Sequence, residues 1–139
     1  MAINTQFPIA VHMAAAMGYR EGRDTTSALL AASVNTSGSF IRRVLAKLSR
    51  AGLVKTTTGK GGACWLARPA ADISLLDIYK AVDAPKAFSI HKYSEQKACA
   101  VSCHIKTALE NALAKTQREM EKSLAKTSLA EVISDLKKG

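Results

Sequence analysis

The segment Thr36–Arg68, TSGSFIRRVLAKLSRAGLVKTTTGKGGACWLAR, decides the fold. Thr36 or Ser37 can accept the orphan amide hydrogens of a first helical turn, and Gly52 can end the helix with a positive φ angle. A helix of about four turns is expected between them. At about 100° per residue, Phe40, Ile41, Val44, Leu45 and Leu48 share one arc, and Ser39, Arg42, Arg43, Ala46, Lys47 and Arg50 share the opposite one. A surface helix built only for solubility would intersperse Glu or Asp to compensate this like charge, and none occurs here. Leu53, Val54 and Lys55 read as a short strand, Gly59, Gly61 and Gly62 as a hairpin tip carrying Lys60, and Ala63 to Arg68 as the return strand. A basic-faced helix followed by a charged, glycine-tipped hairpin is the pattern of a winged helix, which lays the helix in a major groove and the hairpin along neighbouring phosphates.

The rest of the chain agrees in charge. Its 139 residues suffice for one domain with a real core. The net charge is +9, and 47% of the residues are hydrophobic, a globular rather than a disordered composition. Residues 1–68 hold nine basic and two acidic side chains, whereas residues 69–139 hold eleven and nine. Between Thr25 and Ala71 there are seven basic residues and no acidic one, which favours a polyanionic partner through counterion release. Double-stranded DNA is the leading candidate. A membrane surface is the rival, but the sequence has neither an 18-residue apolar span nor a signal peptide, so a cytoplasmic location is expected. Three cysteines argue for reduced thiols, ligands or a redox switch rather than a disulfide scaffold.

Upstream of the deciding segment, residues 6–18, QFPIAVHMAAAMG, are apolar nearly all round and read as a buried first helix, with His12 expected as a packed core residue. Thr25, Thr26 or Ser27 can cap a second helix that runs through Ser33, and Asn35 suits a tight turn. Short helix, turn and polar-faced helix is the helix-turn-helix order. Downstream, Ile73 to Val82 has helical periodicity behind Ser74 as a cap, and Asp83 to Pro85 close it. The pattern lapses from Lys86 to Ser102. A long helix is expected from about His104 to Lys126, with Ile105, Leu109, Ala112, Leu113, Met120 and Leu124 on one stripe that suits pairing with a second copy. Ser128 and Glu131 form a capping-box signature for a last helix ending near Leu136. The expected architecture is therefore mainly α with a small β wing: residues 1–83 a winged helix-turn-helix DNA-binding unit, 84–103 a sensor or effector loop, and 104–139 dimerisation helices.

The runs NTSGSFIRRVLAKLSRAGLV at 35–54, GKGGACWLARP at 59–69, ISLLDIYKAVD at 73–83 and SLAEVI at 128–133 together resemble the Rrf2 family of bacterial winged helix-turn-helix regulators. The resemblance implies a homodimer that represses from a palindromic operator, with an iron-sulfur cluster, thiols or no known ligand as sensor. Cluster-bearing members of the family carry three spaced cysteines before the long helix. This chain has only Cys99 and Cys103 there, and its wing and short IHKYSEQKACAV loop look more like the cluster-free, YwnA-like branch. A cluster wants about four protein ligands, so none is expected, and no metal. The alternative is a cluster or metal held by Cys99, Cys103 and a histidine, His91 or His104. Cys64, beside Trp65, is expected to pack in the wing strand.

For the sensing role the candidates are Cys99, Cys103 and His104. If the long helix begins a turn early, the two cysteines are four positions apart, about 6 Å along the axis, and a disulfide needs local unwinding. A thiol near a helix N-terminus, beside Lys97 and His104, is expected to be reactive toward oxidants and electrophiles.

For DNA the candidates are Ser37, Ser39, Arg42, Arg43 and Lys47 at base edges or flanking phosphates, Lys60 in the minor groove or on the backbone, and Thr26, Thr57 and Thr58 on phosphates. No catalytic residue is assigned, because C-x-x-C is absent and no Ser-His-Asp or Cys-His-Asn set falls in a pocket-like segment. A non-specific basic DNA-binding protein is the remaining alternative class.

Overall fold

The computed structural model describes residues 5–57 and 62–139. Helix α1 (Gln6–Tyr19) leads through strand β1 (Thr25–Thr26) into α2 (Ser27–Val34) and α3 (Gly38–Arg50). Strands β2 (Val54–Thr56) and β3 (Ala63–Leu66), a short 3-10 turn (Ala70–Asp72), α4 (Leu75–Ala81), α5 (Ala100–Lys126) and α6 (Leu129–Lys138) follow. The sheet is antiparallel with order β1-β3-β2.

Local chemistry sets the boundaries. The Ser37 hydroxyl accepts from Phe40 N at 3.2 Å and starts α3. The helix stops at Ala51, and Gly52 takes φ +78°, which a side chain would make costly. Thr26 caps α2 by accepting from Leu29 N at 3.1 Å, and Asn35 ends it in the left-handed region at φ 63°. Ser74 and Ser128 each form a reciprocal capping box, with Asp77 and Glu131 respectively.

The core forms where the apolar arc of α3 meets α1. Ile41, Val44 and Leu48 are fully buried against Ala10, Met13 and Ala14, with Leu30 of α2, Ile78 of α4 and Val54 of β2 around them. Each large aliphatic removed from water contributes about 2 kcal/mol, so this arc fixes how α3 sits on the scaffold and leaves its basic side outward. The last helix joins the same core: Leu129 is fully buried and Ile133 nearly so. Leu129 N donates to Ile73 O at 2.8 Å and Leu75 N to Thr127 O at 2.9 Å, so the segment before α6 is stitched to the segment before α4. Gly18 permits the close approach, because a Cβ there would collide with Ile133 Cδ1.

Three expectations need correction. His12 is exposed rather than packed in the core, and its Nε2 lies 2.9 Å from Ser33 Oγ on α2. The sequence of α1 is apolar nearly all round, but the face at position 12 looks outward past α2. The long helix starts at Ala100, a turn earlier than His104, because Cys99 caps it: its Sγ accepts from Ser102 N at 3.4 Å. The return wing strand ends at Leu66 rather than Arg68. The wing also has a third strand, since Thr25 and Thr26 pair with Cys64 and Ala63 and carry the chain from α1 to α2 along the sheet edge.

Candidate nucleic-acid interface

The outward face of α3, the start of α2 and the wing enclose an open groove of about 900 Å³. Thr26, Ser27 and Ala28 form one wall, Arg42, Ala46, Ser49 and Arg50 the floor, and Thr56, Thr57 and the Gly62–Cys64 backbone the other wall. Among the described residues, no acidic side chain lines it. Nor does any described arginine or lysine of α3 take part in an ion pair, so their charge is available to a polyanion.

The expected DNA contacts lie on α3, at the start of α2 and at the wing. Arg42 stands in the groove, its guanidinium folded close over Gly38, where a Cβ would come within 3.1 Å of Nη1. Ser39 is exposed at the helix start, with its hydroxyl 3.2 Å from Ser37 Oγ. Arg43 and Lys47 sit on the flank of the same face. The Arg43 guanidinium carbon lies 5.4 Å from the centre of the Phe40 ring, and Lys47 Nζ donates to Gln6 Oε1 of α1 at 2.9 Å. A cation held over a ring or by an amide is pre-positioned without being neutralised. The hydroxyls of Ser37 and Thr26 are spent on caps, leaving their backbone and flanks for any contact. Thr57 closes the wing base, accepting from Ala63 N at 2.8 Å. Thr58 and Lys60 lie outside the described residues. Arg50 and Ser49, which line the groove, were not among the expected contacts, although Arg50 shares the basic arc and was legible there.

Cys64 is buried behind the wing, where Sγ donates to Thr25 O at 3.3 Å and burial raises its pKa. It packs as expected and is a poor nucleophile. Cys99 is exposed and Cys103 half-buried at the first turn of α5. Cys103 Sγ points to the carbonyls of Gln96 and Lys97, at 3.6 and 3.9 Å. The preceding loop is tied to helices at both ends: Tyr79 Oη donates to Pro85 O at 2.6 Å, Ala87 N donates to Gln117 Oε1 at 3.0 Å, and Gln96 N donates to Ser102 Oγ at 2.9 Å.

Residues 3–135 match the Rrf2 family, described as an iron-dependent transcriptional regulator. The chain belongs to the Rrf2 family. Over 135 residues, 96% of this chain and 98% of the relative, it is 35% identical to YwnA of Bacillus subtilis (strain 168), by name an HTH-type transcriptional regulator. A crystal structure described as that of a DNA binding protein superposes with a TM-score of 0.72 at 33% identity, covering 92% of this chain and 98% of the other. A transcriptional regulator from Lactobacillus plantarum superposes with a TM-score of 0.81 at 23% identity, over 97% and 91% of the two chains, which shows a shared fold. Rrf2 proteins are transcriptional regulators and not enzymes, and the winged helix with its long C-terminal helix is the family architecture. No helix among the described residues is long and apolar enough to cross a membrane.

The family description raises the question of iron. Among the described residues, no three His, Cys, Asp or Glu side chains converge on one point. His91 stacks on Tyr93 with ring centres 4.9 Å apart, and both sulfurs of Cys99 and Cys103 are engaged with backbone groups. Among the described residues, these side chains are not gathered as the four ligands that a cluster takes.

Proposed function

We propose that this Rrf2 regulator is a cytoplasmic homodimer that represses transcription from a palindromic operator, with the thiols of Cys99 and Cys103 relieving repression under oxidants or electrophiles. The groove between α2, α3 and the wing carries the reading, because it gathers Arg42 and Arg50 with no acidic side chain among its described lining residues. Arg42 and Ser39 read base edges, Arg43, Lys47 and Arg50 hold flanking phosphates, and the wing with Lys60 follows the backbone. Dimerisation is supported by α5, a helix of 27 residues and about 40 Å with no buried residue of its own. Its stripe of Ile105, Leu109, Leu113, Met120 and Leu124 is only half-buried against α4 and the loop, and a second copy would cover it. The thiol switch is supported by the position of Cys99 as the cap of that same helix: oxidation or alkylation removes the cap and frays the start of α5.

The test is fluorescence anisotropy of the reduced full chain with DNA from upstream of its own gene and with unrelated DNA of equal length, repeated after mild oxidation. Preference for the upstream DNA, lost on oxidation in the parent and kept in Cys99→Ser, is the expected result. Equal affinity for both DNAs would remove the specific-repressor reading, and indifference to oxidation would remove the thiol switch alone.

A further inference from the structure

A second cavity lies on the other side of α2, between α1, α2 and α6, with a volume of about 640 Å³. Its walls are apolar, formed chiefly by Val11, Ala15, Leu29 and Val132. Tyr19 and Leu136 stand at its edge with 50% and 52% of their surfaces exposed, so the groove opens directly to solvent. Its polar side chains are Arg20, Arg23 and the pair His12 and Ser33, with Nε2 and Oγ 2.9 Å apart. Among the described residues, no Asp or Glu lines the groove.

Arg20 is the unusual member. Its Nη2 donates to Asp24 O at 3.1 Å, but its Nε is the one buried side-chain nitrogen or oxygen among the described residues with no hydrogen-bond partner. A desolvated guanidinium N–H without an acceptor is unfavourable. Turning the guanidinium about its terminal torsions presents the Nε–Nη edge to an acceptor in the groove, and a carboxylate matches that edge in a bidentate geometry. A largely apolar trough of this size lined by two arginines has the chemistry of a small-ligand site.

We infer that the α1–α2–α6 groove binds an amphipathic organic anion, a carboxylate bearing an aromatic ring or a short alkyl chain, with the carboxylate on Arg20 and Arg23 and the apolar body against Val11, Leu29 and Val132. The position also gives the site a route to the DNA groove. Leu29 and Ser33 of α2 line this cavity, and Thr26, Ser27 and Ala28 at the start of the same eight-residue helix line the other. A ligand that moves α2 moves one wall of the DNA groove. That regulatory consequence rests on the DNA-binding reading above, and the ligand site itself does not.

The test titrates the isotopically labelled full chain with 4-phenylbutyrate and octanoate, and in parallel with the neutral amides of both, following backbone amide resonances. The expected result is saturable shifts centred on Val11, Ala15, Leu29 and Val132, with at least one acid binding about tenfold more tightly than its amide. Arg23→Gln, an exposed substitution, brings the acid most of the way to the affinity of the amide, and the Arg20→Gln, Arg23→Gln double variant completes the loss. Equal binding of acid and amide, shifts centred on α5, or no saturable binding by either acid would overturn the inference. So would protection of the groove by a second copy, seen as binding that appears only on dilution to monomer. DNA affinity measured with and without saturating acid then reads the coupling: a change of about fivefold supports it. Loss of all DNA binding in the unliganded protein would instead count against the operator reading, leaving the ligand titration to stand alone.

Discussion

Leu129→Ala tests whether α6 belongs to the core of the winged helix. Leu129 is fully buried beside Ile73, far from it in sequence, and the first turn of α6 is fixed by the backbone bond from Leu129 N to Ile73 O. Truncating a fully enclosed leucine removes its transfer free energy and leaves a cavity, together about 3 kcal/mol within a range of roughly 2–5. That is a loss of about a hundredfold in the folding constant, and about 10 °C in Tm for a chain of this size. Leu136→Ala, on the same helix but 52% exposed, should cost less than about 1 kcal/mol. Urea denaturation followed by far-ultraviolet circular dichroism, at matched protein concentration so that any dimer linkage cancels, measures both. A Leu129→Ala stability within about 0.5 kcal/mol of the parent, or equal costs for the two leucines, would refute the packing of α6 against α1 and the segment before α4.

Other substitutions probe the interface and its supports. Asn35→Ala should destabilise by about 1 kcal/mol because the position holds φ 63°, whereas Asn35→Gly should be near neutral; thermal unfolding of the pair separates backbone strain from side-chain loss. Gly18→Ala should lower Tm measurably, since its Cβ forces Ile133 aside, and Ile133→Val in the same chain should recover part of the loss. Arg42→Ala should relax base preference and reduce the slope of log K against log salt by about 0.9 for each phosphate that the guanidinium had neutralised, measured by anisotropy over a salt series; an unchanged slope and preference would take Arg42 out of the interface. In iodoacetamide labelling at about pH 8, Cys99 should react first. Cys64 should react only after unfolding, because burial raises its pKa and keeps the neutral thiol present to higher pH; early labelling of Cys64 in a mass-spectrometric time course would contradict its place behind the wing.

The sequence by itself determined the elements whose causes are local. The split of α3 into an apolar and a basic arc, the caps at Ser37, Ser74 and Ser128, and the turn at Asn35 each depend on residues close to one another along the chain, and all of them occur in the structure. The cationic floor of the groove between α2, α3 and the wing was legible for the same reason, since helical periodicity alone puts Arg42 and Arg50 on one side. Only the tertiary structure decided features that join distant segments. The pairing of Thr25–Thr26 with Ala63–Cys64, the bond from Lys47 to Gln6, the exposure of His12 toward Ser33, and the return of α6 to α1 all bring together residues far apart in the chain. No local pattern encodes such contacts, because they follow from how whole apolar faces bury against each other. The groove between α1, α2 and α6 is of the same kind: its arginines and its apolar walls come together only once three helices have packed.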